Sequence, residues 1–262
     1  MKKKLLKITG LLFLLLCVAA VFYLTKRNAE MQDEQICSDV VVNIDKGNGV
    51  GFLVSTDITD LLWKTFGDSV RGDKIKTIPV SRIEKVVAHD PYVASTQSYL
   101  DANGKLHIDI VQKEPIARVI NKYGVHYYIN ENANKIPVSS KFTSRVPVVT
   151  GDIDEGTRNT DMIETPVLQN ALELVRFMHA HPFWNAQIEQ ISVTADGNFL
   201  LVPKLGDHII EFGKAENIEE KFHKLEIFYN KGLSYTGWDN YSTINLDYEN
   251  LVVADKKENY GQ

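Results

Sequence analysis

Hydrophobic and polar positions change texture several times along this chain. Ile8 to Leu24 (ITGLLFLLLCVAAVFYL) is an apolar run of seventeen residues without a charge. As a helix it reaches about 25 Å, close to the thickness of a hydrocarbon core. Leu5 and Leu6 extend it, and Lys26 and Arg27 close it. A short β-rich run follows at Val40 to Ile44. Helical spacing then takes over twice. In Asp57 to Phe66, the residues Ile58, Leu61, Leu62 and Phe66 fall on one face. In Ser81 to His89, Ser81 and Glu84 have the spacing of a capping box, and Pro91 stops the helix. Next the period drops to two. Tyr92 to Leu100 and Lys105 to Val111 read as strands around Asp101-Ala102-Asn103-Gly104, where Asn-Gly supplies the positive φ angles of a tight hairpin. Leu106, Ile108 and Ile110 alternate with Lys105, His107 and Asp109, so one face is buried and the other, with His107, faces water. The order β-α-α-β-β predicts a module with a mixed sheet and both helices on one face.

The rest of the chain is richer in strands. Ile116 to Ile120, Val125 to Ile129 and Val146 to Val149 are short strand patterns. A helix is predicted from Thr165 to His179, with Leu168, Leu172 and Val175 on its apolar side. Ile188 to Thr194, Asn198 to Val202 and His208 to Phe212 follow as strands, with turns at Asp196-Gly197 and Gly206-Asp207. Ile218 to Tyr229 is amphipathic at helical spacing, through Ile218, Phe222, Leu225 and Tyr229. Two last strands, Ser242 to Asp247 and Leu251 to Ala254, precede a charged tail, 255–262, expected to fray. The fold class is α+β.

Charge gives the first segment its meaning. The chain carries 29 basic and 34 acidic residues, and four of the lysines lie within the first ten positions, where there is no acid. A basic tip, a long apolar run and a weaker basic flank are the pattern of an uncleaved membrane anchor. The run is longer than the apolar part of a signal peptide, and Val21, Phe22, Tyr23 and Leu24 follow Ala19-Ala20 where a peptidase prefers small residues. Leu16 before Cys17 does not suit a lipid-modified cysteine, so Cys17 is an inert residue of the span. The positive-inside rule keeps residues 1–7 in the cytoplasm, puts the span at 8–24, and exports the rest beyond a stalk at 25–37. The exported body has one cysteine, Cys37, and forms no internal disulfide. Its acidic balance argues against nucleic acid and against anionic glycan or lipid as partners.

Catalytic chemistry is not legible. There is no G-x-S-x-G elbow, no H-E-x-x-H and no pair of C-x-x-C. His179-Ala180-His181 is the nearest approach to a metal pair, but residues two apart on a helix do not share a face and no third ligand is apparent. Gly47-Asn48-Gly49-Val50-Gly51 lacks the Lys-Ser/Thr of a phosphate loop and reads as a flexible connection. Asp152, Asp154 and Glu155 form an acidic loop, read as a solvated turn. No cofactor, metal or small-molecule substrate is implied, and the chain is not expected to be an enzyme.

The order of segments resembles the FtsQ/DivIB family of bacterial cell-division proteins. Ile75 to Arg118 carries most of the resemblance. It contains Ile83-Glu84-Lys85-Val86, then Asp90-Pro91-Tyr92-Val93, and ends in Lys113-Glu114-Pro115-Ile116-Ala117, similar to the family's basic-Glu-Pro-x-Ala step. Tyr127-Tyr128-Ile129-Asn130 with Lys135-Ile136-Pro137 is similar to a second motif, with Asn134 in place of glycine. Val146-Pro147-Val148-Val149-Thr150-Gly151 and Ile244-Asn245-Leu246-Asp247-Tyr248 match two more, the last with Asp247 where arginine is common and Leu251 where glycine is common.

The resemblance implies a POTRA-like domain at 38–114 and a β domain at 115–254 with an open C-terminal edge. It implies a bitopic divisome scaffold that recruits and regulates septal peptidoglycan synthesis, with FtsB-like and FtsL-like membrane proteins as partners. The implied binding mode is strand addition, in which a partner segment pairs with an exposed sheet edge. Tyr248, Asn250, Leu251, Val252 and Val253 are the implied partner-binding residues, with Val86 to Tyr92 as a second contact surface. Rival readings are a POTRA-bearing component of protein export or outer-membrane assembly, and an anchored periplasmic binding protein or hydrolase. The first would carry tandem modules or a barrel, and the hydrolase would need convergent titratable residues. A sensor would need more cytoplasmic chain than seven residues.

Overall fold

The computed structural model describes residues 14–24, 35–47, 51–67, 70–157 and 161–257. Residues 14–24 are helical (α1). The rest of the expected span lies outside the described residues, and no helix among those described is long and apolar enough to cross a membrane. The chain divides into two compact units.

The first unit holds β1 (Asp39–Asp45), α2 (Ser55–Phe66), α3 (Val80–Ala88), β2 (Val93–Leu100) and β3 (Lys105–Gln112). Its sheet order is β1-β3-β2, with β1 parallel and β2 antiparallel to β3. Leu106, Ile108 and Ile110 of β3 are buried together with Ile58 and Leu62 of α2 and Ile83 and Val87 of α3. The alternation and the two helical stripes thus meet in one core. Cys37, just before β1, is part of that core.

Two local details differ from expectation. Ser81 is not a cap, because α3 begins at Val80 after Pro79. Its supposed partner Glu84 instead accepts the Ser98 N–H at 2.7 Å and ties α3 to β2. The helix start that is closed by an acid is α2, where the Asp57 carboxylate accepts the Val54 N–H at 3.1 Å. In the β2–β3 turn only Gly104 has a positive φ, and Asp101 Oδ1 accepts the N–H groups of Asn103 and Lys105. The turn is therefore built by an aspartate and one glycine, not by an Asn-Gly pair. His107 sits on the outer face, 3.1 Å from Asp101 Oδ2 and stacked on Tyr99.

Among the described residues the second unit has a nine-stranded sheet in the order β12-β11-β10-β9-β8-β7-β4-β5-β6. The strands are β4 (Pro115–Ile120), β5 (His126–Asn130), β6 (Lys135–Pro137), β7 (Val148–Gly151), β8 (Ile188–Val193), β9 (Phe199–Pro203), β10 (Ile209–Gly213), β11 (Tyr241–Asn245) and β12 (Val253–Lys256). Pairing is parallel at β4–β7, β7–β8 and β10–β11 and antiparallel elsewhere. The parallel β7–β8 step needs a long crossover, which α4 (Pro166–Ala180) and α5 (Pro182–Gln187) supply. The β10–β11 crossover is α6 (Ile218–Phe228) with a π-helical turn at Tyr229–Leu233. Leu168, Leu172 and Val175 of α4 and Phe222 and Leu225 of α6 share one core with the inward residues of the sheet.

Two elements carry no period that could announce them: the three-residue β6 and the short α5, which Pro182 starts at its first position. The segment Lys46–Phe52, although it precedes α2 in sequence, belongs to the second unit. There the Phe52 ring packs 5.7 Å from Tyr128 and 5.3 Å from Phe142. This explains why Tyr127 and Tyr128 are both buried although neighbours on a strand face opposite ways. Within this segment, 48–50 of the glycine-rich run lie outside the described residues.

Candidate functional site

The last strands form one end of the large sheet. β11 continues the parallel pairing with β10 past its own end, since the Leu246 N–H donates to the Glu211 carbonyl at 2.9 Å. Leu246 is fully buried. The chain then turns through 247–252 and returns as β12, antiparallel to β11 with Asn245 opposite Val253 and Ile244 opposite Ala254. On its other side β12 has no strand among the described residues. The opposite end of the sheet is β6, which contains Pro137. A proline removes a donor, so β6 offers a poorer template than β12.

Backbone alternation decides which groups of β12 face outward. The Lys257 N–H donates inward to the Asn240 carbonyl at 2.9 Å. Two-residue alternation along an antiparallel strand then turns the amides of Asp255 and Val253 inward, and those of Ala254 and Lys256 outward. The irregularity in this pair falls on the β11 side, between Tyr241 and Thr243, and leaves that alternation on β12 intact.

Two lysines of α6 hold the turn in place. Lys221, itself buried, donates to the carbonyls of Phe212 and Lys214 at 2.8 and 3.1 Å, and lies 3.4 Å from Asp247 Oδ1. Lys224 donates to the Tyr248 carbonyl at 2.8 Å. The Asp247 N–H donates to Asn245 Oδ1 at 2.9 Å, and Asn245 Nδ2 to Glu211 Oε2 at 2.6 Å. Gly213, with φ +72°, passes so close that a Cβ there would meet Asp247 Oδ1 at 2.3 Å. Asp247, which departs from the family pattern, therefore has a local role: it completes the polar shell of Lys221.

The expected partner-binding residues separate into two groups. Val253 is in β12, and it is 37% exposed. Tyr248, Asn250, Leu251 and Val252 lie in the turn instead of in a strand, because β12 starts at Val253 and not at Leu251. Asn250 has φ +58°, a left-handed position that an extended strand does not contain. Tyr248 and Leu251 are 54% and 52% exposed and form an apolar shoulder beside the edge, whereas Val252 packs partly on the core. The strand expected at Leu251 to Ala254 lies two residues further on, at Val253–Lys256. Asp255 and Lys256, assigned to a fraying tail, are paired with β11, and Lys257 is held through its N–H and through its Nζ at 3.1 Å from Asp207. Their charge suggested a tail, but on an edge strand charge is ordinary. Residues 258–262 lie outside the described residues.

The other candidate chemistry resolves differently. His181 Nδ1 lies 2.6 Å from the Phe177 carbonyl, and no group of three or more His, Cys, Asp or Glu among the described residues could hold a metal ion. The acidic loop is only half solvated. Lys122 spans Asp152 and Asp154 at 3.2 and 2.5 Å. Glu155 is half-buried with its side chain largely covered, lies 2.9 Å from buried Lys135, and accepts the N–H groups of Glu164 and Thr165 and the Thr165 hydroxyl. Burial works against ionisation of Glu155, but the hydrogen bonds from Thr165 and Lys135 outweigh it and hold its carboxyl below the usual glutamate range. It closes the start of α4 and is a structural group. Val86 and Tyr92 of the second suggested surface are half-buried, while Ala88, His89 and Pro91 are exposed.

This architecture defines an α+β protein made of a β-α-α-β-β module and a large mixed sheet that ends in a strand paired on one side. Residues 35–111 match the family described as a POTRA-like domain, and residues 114–255 match the family described as FtsQ/DivIB, C-terminal related. The chain belongs to the FtsQ/DivIB family. That is a family of non-enzymatic division scaffolds, and its domains give this chain a role in cell division. No curated protein matches the chain.

Proposed function

We propose that this protein is a bitopic scaffold of the bacterial divisome, anchored in the cell inner membrane by residues 8–24 with its N-terminus in the cytoplasm. In this reading its exported part recruits and regulates septal peptidoglycan synthesis by binding FtsB-like and FtsL-like membrane proteins. The observation that carries the reading is the free side of β12. Among the described residues no strand pairs with its outward ladder at Ala254 and Lys256, beside the exposed side chains of Tyr248 and Leu251. Main-chain bonds would supply affinity there, and the apolar shoulder would select the partner's side chains. The lysines from α6 fix the turn before binding, which lowers the entropy lost on association.

Depletion of the protein in its own host tests the role. Long, septum-poor filaments with an otherwise normal envelope are expected. Cells of normal length that lose outer-membrane proteins would overturn the reading in favour of an export or assembly component.

A further inference from the structure

A titratable group is buried where β11 and β12 are anchored. His208, just before β10, is 1% exposed, whereas the other six histidines are exposed or half-buried. Its Nε2 lies 2.9 Å from the Tyr229 hydroxyl, in the π-helical turn after α6. Gln187 donates to that hydroxyl, so the hydroxyl proton points at Nε2 and the ring accepts it. Nδ1 is buried with no well-formed hydrogen bond among the described residues. Gly206, at φ +89°, makes room for the ring. A Cβ there would meet Cε1 and Nδ1 of His208 at 2.7 Å and the Trp238 carbonyl at 3.3 Å. Trp238 opens the short 3-10 turn Trp238–Asn240, which leads directly into β11.

The same place holds the end of β12. The Lys257 N–H donates to the Asn240 carbonyl at 2.9 Å, and its Nζ lies 3.1 Å from Asp207, the neighbour of His208 in sequence. The groups that face the ring are Tyr229, Asp207, Asp239 of the 3-10 turn, and Lys257 beyond β12. Burial pushes the imidazole below its ordinary value of 6.5, and Lys257 pushes the same way. The Trp238 carbonyl, Asp207 and Asp239 favour the charged ring and are outweighed. Burial also keeps Tyr229 protonated. The fold is therefore built around an uncharged His208. A charged imidazole carries protons on both nitrogens. It would deprive the Tyr229 hydroxyl of its acceptor and set a second cation beside Lys257.

We propose that His208 is a proton-operated latch on the partner edge: in mildly acidic surroundings the charged ring repels Lys257, frees the end of β12 and weakens strand addition there. The inference rests on the proposed role of β12 and adds its regulation. By linkage, a partner paired with β12 favours the uncharged ring by the same factor.

The test uses the full chain in phosphatidylcholine nanodiscs, taken from neutral to mildly acidic pH. Exchange of the histidine C2–H titrates the ring, and amide exchange, corrected for its intrinsic pH dependence, follows β12. Protection of the Val253, Asp255 and Lys257 amides should fall by about fivefold or more as His208 takes up its proton, below pH 6.5. His208→Gln, which keeps a group able to bond Tyr229, should remove that response. Lys257→Met should raise the pH at which His208 titrates, because it removes the opposing cation. Co-purification from the host with the proposed membrane partners should weaken over the same pH range, and not in His208→Gln. Protection that stays constant while His208 titrates would overturn the latch. So would a response that survives His208→Gln, or a titration unmoved by Lys257→Met. Failure of strand addition itself looks different: the free protein still responds to acid, but Ala254 and Lys256 stay unprotected in the complex, which overturns the regulatory consequence alone.

Discussion

Glu155 illustrates what a residue's neighbours decide and its sequence context does not. Beside Asp152 and Asp154 it reads as one more solvated acid, yet its side chain is 8% exposed and that of its partner Lys135 is 5% exposed. Nothing local in the sequence links it to Thr165, ten positions on, because the link runs through the tertiary position of α4. Glu155→Ala removes one partner of buried Lys135 and the acceptor of the Glu164 and Thr165 N–H groups, so it should destabilise the protein by about 1–3 kcal/mol in urea unfolding. Glu155→Gln, which can still accept from the α4 start, should cost less. The pH dependence follows the same group. Its carboxyl is lowered in the folded protein relative to the ordinary value of 4.5. The unfolded chain therefore takes up the proton first as pH falls. The contribution is complete above pH 4.5 and is lost below it, as pH falls through the folded value. Glu155→Gln should flatten the acid limb of a stability–pH profile, and an unchanged limb would contradict the assignment.

At the scale of elements, long periodic segments were legible and short or charged ones were not. β3 and α2 follow directly from periods of two and 3.6, since their apolar residues must face one core. β6 is too short to show a period, and α5 directly follows α4. β12 was misplaced because Leu251-Val252-Val253 is the more apolar stretch, whereas the paired strand is Val253–Lys256. The ladder is set by how far the 247–252 turn travels, and that depends on Lys221 and Lys224 of α6, contacts with no signature in the sequence. Lys221→Met tests this dependence. It leaves the Phe212 and Lys214 carbonyls unsatisfied and should cost about 1–3 kcal/mol. It should also speed amide exchange in 246–256 beyond what an equally destabilising change in the first unit produces.

At the scale of the molecule, each of the two units has its own hydrophobic pattern and its own core. The proposed membrane anchor rests on the apolar run and its flanking charge. The proposed partner edge rests on topology: among the described residues β12 is the last strand of a nine-stranded sheet, and only the assembled sheet reveals which of its amides face no described strand. The most direct measurement is residue-resolved amide hydrogen exchange on the full chain, alone and co-purified from the host with the proposed membrane partners. The account predicts that the Ala254 and Lys256 amides exchange fast in the free protein and become protected in the complex, while those of Val253 and Asp255 are protected in both. It also predicts that Ala254→Pro, a proline at an outward amide, abolishes co-purification. Protection elsewhere with Ala254 and Lys256 unchanged, or a complex that survives Ala254→Pro, would contradict strand addition at β12.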